Sequence, residues 1–159
     1  MGNRIGIGYD VHRFTEERPL ILGGVRIPYK KGLEGHSDAD VLAHAVADAV
    51  LGAASAGDIG QHFPDNDPGF SGADSLVLLS RTVEIAAEKG FKIVNVDSTV
   101  VLQEPKISNY TKEMTSNLAQ SLKIDPERVN VKATTSEGMG FCGRSEGAAA
   151  WAVCLIEEI

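Results

Sequence analysis

The sequence predicts an α+β domain: one mixed β-sheet with helices packed on one face, plus a small β-hairpin. Three observations carry this reading. Apolar residues recur with period two near the N-terminus, whereas later stretches repeat at the spacing of helical turns. Taken in chain order, the patterns run strand, hairpin, helix, helix, strand, helix, strand, strand, a mixed order that fits a sheet covered on one side. Finally, 159 residues with 43% hydrophobic content, no internal repeat and no linker composition make one domain spanning residues 1–159.

Composition narrows the function classes. A formal net charge of -7 argues against nucleic acid or an anionic membrane as partner. No apolar run approaches the length of a membrane span, and residues 1–5 resemble neither a signal peptide nor a transit peptide. Two cysteines, Cys142 and Cys154, cannot form a disulfide framework, and a cytoplasmic location is the simplest setting for them. The acidic balance imposes a condition: a phosphate-ester substrate would need local cations, which bound metal ions supply most directly. The chain is also small for an enclosed active site, which raises a site shared between subunits.

The elements follow in order. Ile5, Ile7, Tyr9 and Val11 alternate with Gly6, Gly8, Asp10 and His12, the pattern of a strand with one buried face. Asp10 and His12 therefore point the same way, beside glycines that leave room for a ligand or another backbone. Residues 19–22 and 25–28 flank Gly23-Gly24 as a small outlying hairpin. Residues 29–35 read as a loop delivering His36 and Ser37 to a helix over 38–52, where Ser37 and Asp40 resemble a capping box that leaves backbone N–H groups for an anion. Residues 53–72 have no period and read as a long functional loop. Asp74 caps a helix over 75–89 that Gly90 ends. A β-branched strand covers 93–102, and Pro105 ends its pairing. Residues 110–122 form a helix with Met114, Leu118 and Leu122 inward, and 128–133 form a strand. Periodicity alone leaves the uniformly apolar run 148–156 open between strand and helix.

Chemistry concentrates at two places. Asp10, His12 and His44 offer one carboxylate and two imidazoles from two rigid elements, a three-ligand zinc set with an open fourth position. The alternative is a core histidine bonded to a carboxylate with no metal. Asp40 and Asp48 lie on the stripe of His44 and either can serve its second ring nitrogen. Thr134, Thr135, Ser136 and Glu137 leave a strand end with hydroxyls and a carboxylate suited to phosphate oxygens and a hard cation.

These motifs resemble one family along nearly the whole chain. Gly8-Tyr9-Asp10-Val11-His12, Leu22-Gly23-Gly24-Val25-Arg26-Ile27-Pro28, His36-Ser37-Asp38-Ala39-Asp40, Gly57-Asp58-Ile59-Gly60, Phe63-Pro64-Asp65-Asn66-Asp67, Ala73-Asp74-Ser75, Val129-Asn130-Val131-Lys132-Ala133-Thr134-Thr135 and Gly143-Arg144-Ser145-Glu146-Gly147 occur in the order seen in the 2-C-methyl-D-erythritol 2,4-cyclodiphosphate synthases. The resemblance implies a homotrimer around a central axis with active sites at subunit interfaces, and release of CMP from a cytidine diphosphate substrate. It implies zinc, or another divalent transition metal, on Asp10, His12 and His44, and magnesium or manganese at Glu137. His36 would polarise the diphosphate and Thr135 align the phosphates, with Ser37, Thr134 and Ser136 beside them. Asp58, Ile59 and Gly60 would meet the ribose; Phe63, Pro64, Asp65, Asn66 and Asp67, with residues 73–75, the methylerythritol phosphate end. Leu102, Gln103, Glu104, Pro105, Lys106, Ile107 and Ser108 would form the cytosine pocket, largely with main-chain groups, although Glu104 stands where a small residue is expected. Phe141 and Arg144 would lie near the trimer axis. Resemblance also makes 148–156 a strand.

Overall fold

The computed structural model describes residues 2–159. Seven strands and five helices appear among them: β1 (Asn3–Thr15), β2 (Leu20–Leu22), β3 (Val25–Ile27), β4 (Gly32–Leu33), α1 (Val41–Ala53), α2 (Ile59–His62), α3 (Ser75–Glu88), β5 (Phe91–Val101), α4 (Thr111–Leu122), β6 (Val129–Thr134), α5 (Gly140–Gly143) and β7 (Gly147–Glu158). The main sheet has the order β4-β1-β7-β5-β6, and β2 pairs with β3 in a separate ribbon. Only β5 and β6 run parallel, so the sheet is mixed as predicted. The C-terminal apolar run is the central strand β7. No helix among the described residues is long and apolar enough to cross a membrane.

The helices cover one face, but β1 is turned the opposite way from the simplest reading of its alternation. Ile5 and Ile7 are 73% and 66% exposed, and the glycines of β1 face the helices. Alternation identifies residues that share a face; it does not say which face meets the helix. The reason is steric. A Cβ on Gly8 would lie 1.8 Å from the Ala45 carbonyl oxygen, and one on Gly6 2.1 Å from that of Ala49. Buried Ala148, Ala150 and Ala152 give α1 the same clearance over β7. Across the sheet, Ile5, Ile7, Tyr9, Val11, Trp151 and Val153 leave an exposed apolar face.

Several local expectations need correction. The β2–β3 ribbon is not outlying, since Leu20, Leu22, Val25 and Ile27 are all buried. Its turn is held by Asp40, whose carboxylate accepts from the N–H groups of Gly23 at 2.9 Å and Gly24 at 2.8 Å. Asp40 also caps α1 by accepting from Ala43 N–H, which replaces the Ser37–Asp40 box and closes that terminus to an anion. Burial raises the Asp40 carboxyl above its ordinary range despite these bonds. Residues 32–33 form a short strand against β1 within the predicted loop. Two helical turns, Ile59–His62 and Pro68–Phe70, give structure to the long segment 53–72. In β5 an irregularity between Ile93 and Asn95 shifts the register, so Phe91, Ile93, Val96, Ser98 and Val100 all face the core.

The remaining core is ordinary side-chain packing. Met114, Leu118 and Leu122 of α4 and Leu79 of α3 are fully buried, as their spacing predicts. Cys142 and Cys154 are free and buried, and burial pushes the Cys154 thiol up to about 12. Gly8→Ala should destabilise the protein by more than about 3 kcal/mol, the upper end of ordinary overpacking. Gly52→Ala, whose Cβ would approach nothing nearer than the Ile7 carbonyl oxygen at 3.8 Å, should gain about 0.5–1 kcal/mol. Urea unfolding of the two variants checks both, and equal midpoints would contradict this packing.

Candidate metal centre and active site

The close approach of α1 to β1 at Gly8 brings the next residue on that face, Asp10, opposite His44. Asp10 Oδ2 lies 2.8 Å from His12 Nε2 and 3.0 Å from His44 Nδ1, and the two ring nitrogens are 3.3 Å apart. Three ligand atoms thus converge from a strand and a helix. Metal bonds of about 2.0–2.1 Å at tetrahedral angles would set donors about 3.3 Å apart, so small outward shifts accommodate an ion. The group sits in the wall of an open cavity of about 300 Å³, which leaves a further coordination position facing solvent.

Proton bookkeeping supports the same arrangement. His12 Nδ1 donates to the Glu34 carbonyl at 2.8 Å, so Nε2 is the nitrogen turned toward Asp10, and the proton it shares with that carboxylate is the one a metal would displace. His44 Nε2 lies 2.7 Å from Ser75 Oγ and 3.2 Å from Ser37 Oγ, and its Nδ1 faces the site. Burial pushes the Asp10 carboxyl up, but hydrogen bonds and charge from His12 and His44 outweigh it and hold the group at about 2. Burial pushes His12 down, yet its bond to Asp10, the Asp10 charge and the Glu34 carbonyl raise it above its ordinary value. Both shifts have one meaning: these donors favour positive charge between them. Asp40 and Asp48 are not the partners of His44. Asp40 serves the hairpin, and Asp48 accepts from Ile59 N–H at 3.1 Å. Ser75 occupies that role instead, with Ser37 farther off and Asp38 behind Ser75. No periodicity could reveal this, because the contact joins residues 31 positions apart.

The other predicted residues fall into separate groups. His36, Ser37, Ile59, Gly60, Phe63 and Asp65 line the metal cavity. His36 Nε2 is held 3.0 Å from the Asp67 carbonyl oxygen. Asp58 and Asp67 cap the helical turns that follow them, and Pro64 and Asn66 do not line the cavity. Gly35, Phe70 and Leu78 line it without having been singled out by any motif. A second cavity of about 250 Å³ is lined by Leu102, Gln103, Pro105, Lys106, Ile107, Ser108, Thr134 and Thr135, but not by Glu104. Glu137 is exposed beside it, with a left-handed backbone (φ 56°) and its N–H donated to Thr135 Oγ1. Ser136 donates to the Met139 carbonyl. Phe141 borders a third cavity with Tyr9 and Val11, and Arg144 reaches Glu146 at 3.3 Å. The metal cavity and the second cavity share no lining residue, so one chain does not unite them.

Residues 3–157 match the model of the YgbB family. The 2-C-methyl-D-erythritol 2,4-cyclodiphosphate synthase of Laribacter hongkongensis is 60% identical over 158 residues, covering 99% of this chain and 98% of that protein. Its counterpart from Pelotomaculum thermopropionicum is 58% identical over 155 residues, 98% of this chain and 96% of that one. Among solved structures, the bifunctional IspDF of Campylobacter jejuni matches with a TM-score of 0.96 at 46% identity, over 99% of this chain and 43% of that longer one. The CDP complex of IspF from Plasmodium falciparum matches with a TM-score of 0.86 at 36% identity, over 99% of this chain and 97% of that one. The chain belongs to the YgbB family and is similar along its length to 2-C-methyl-D-erythritol 2,4-cyclodiphosphate synthases.

Proposed function

We propose that this chain cyclises 4-diphosphocytidyl-2-C-methyl-D-erythritol 2-phosphate in the non-mevalonate route to isoprenoid precursors. An oxygen of the 2-phosphate attacks the β-phosphorus, the bond from that phosphorus to the bridging oxygen breaks, and CMP leaves with the electron pair. The products are 2-C-methyl-D-erythritol 2,4-cyclodiphosphate and CMP, with no atom taken from water, which makes the enzyme a phosphorus–oxygen lyase. The observation that carries this reading is the convergence of Asp10, His12 and His44 on one point in the wall of an open cavity.

The residues suit the task. Zinc held by Asp10, His12 and His44 would draw charge from a β-phosphate oxygen, while magnesium or manganese at Glu137 would neutralise the leaving α-phosphate. His36, anchored at the Asp67 carbonyl, faces the cavity and can orient the diphosphate. Phe63 and Phe70 meet edge to face at 5.5 Å and give the cavity an apolar wall that limits water. Thr134 and Thr135 border the second cavity, whose main-chain groups suit the edge of a pyrimidine base. The attacking phosphate oxygen is already ionised near neutral pH, so no protein nucleophile or dedicated base is needed. Holding both phosphates in one cleft can supply about 7–11 kcal/mol of the barrier.

A homotrimer would complete the cleft. The separation of the two cavities within one chain supports an active site shared with a neighbour, and the apolar outer face of β1 and β7 supports packing of sheet against sheet around an axis.

Incubation with the substrate in oxygen-18 water should release CMP and an unlabelled cyclic product in equal amounts. Label in the product would mean hydrolysis and contradict the proposal. A zinc chelator should stop turnover, and His44→Ala should lower it by about a thousandfold or more while the fold persists; near-normal turnover would remove the metal from the reaction. Glu137→Gln should raise the magnesium concentration needed for half-maximal rate by about tenfold, and an unchanged requirement would remove Glu137 as its ligand.

A further inference from the structure

His44 can join the metal site in only one of its neutral tautomers. Nδ1 must be bare to aim a lone pair at Asp10 and His12, so the proton must sit on Nε2. The surrounding hydrogen bonds enforce that choice. The Ser75 hydroxyl donates to Asp38 Oδ1, and Asp38 Oδ2 accepts from Ser75 N–H at 3.0 Å. Asp38 Oδ1 also accepts from Asp40 N–H at 3.1 Å. A carboxylate has no proton to return, so the chain runs in one direction: His44 Nε2–H to Ser75 Oγ, and Ser75 Oγ–H to Asp38. Ser75 is 1% exposed, which denies water its place.

We propose that Ser75, backed by Asp38, is the positioning residue that fixes the Nε2–H tautomer of His44 and thereby sets the affinity of the Asp10–His12–His44 site for its metal. The inference rests on the metal reading above. It also separates the two imidazoles. His12 is oriented by a backbone carbonyl that no substitution can reverse, whereas His44 depends on side chains brought from the start of α3.

The test is titration of the metal-free protein with zinc chloride alone, followed by calorimetry, with nitrogen-15 spectra of the His44 ring before metal is added. Ser75→Ala should weaken zinc binding by about 10–100-fold, the usual effect of losing a group behind a metal ligand. Asp38→Ala, which removes the acceptor behind Ser75, should do the same: with no carboxylate to take its proton, the Ser75 hydroxyl is free to donate to His44 Nε2, which moves the ring proton to Nδ1. The spectra should record that move. Wild-type affinity with an unchanged tautomer in both variants would overturn the role of Ser75 and leave the metal site standing. Loss of thermal stability alone, with affinity and tautomer unchanged, would likewise overturn it. Failure of the wild-type protein to bind zinc would instead remove the metal reading, and this inference with it.

Discussion

The contact between the α1 backbone and the glycine face of β1 is the constraint on which the site depends. With a Cβ on Gly8 placed 1.8 Å from the Ala45 carbonyl, any larger residue would push the helix outward. Asp10 and His44 sit beside that contact, and their 3.0 Å separation exists because the helix lies so close. The alanines of β7 extend the same clearance across the sheet. Small residues therefore serve the chemistry indirectly: they set the distance between a strand and a helix that each carry part of one ligand set.

Around this point the acidic residues are largely occupied. Asp40 holds Gly23, Gly24 and Ala43, Asp48 holds Ile59, Asp58 holds Gln61, Asp67 holds Gly69 and Asp74 holds Leu76, each through backbone N–H groups. Such bonds spread carboxylate charge onto the backbone and reduce the repulsion an anionic substrate would meet. In the triad Asp10 is the one carboxylate beside two imidazoles. A divalent ion there would leave the cluster net positive, which reconciles a chain of net charge -7 with a substrate rich in phosphate.

Much of this was legible in the sequence. Period two placed Asp10 and His12 on one face, helical spacing placed His44 on the same helix stripe as Asp40 and Asp48, and the cap at Asp74 bounds its helix as its residue type suggests. What sequence could not supply were facts of packing. Alternation in β1 could not say that its glycines, rather than its isoleucines, meet the helix. The stripe of Asp40, His44 and Asp48 suggested a partnership that the fold divides, because the hairpin and α2 offer unpaired N–H groups nearer to each carboxylate. Ser75 reaches His44 only after α3 docks. The separation of the two cavities depends on the sheet, which no local pattern encodes.

X-ray diffraction from crystals grown with zinc, collected on both sides of the zinc absorption edge, tests the central claim most directly. An anomalous peak within about 2.2 Å of Asp10 Oδ2, His12 Nε2 and His44 Nδ1 together is the predicted result. A fully loaded protein with no peak there, or with the ion held by other residues, would contradict it.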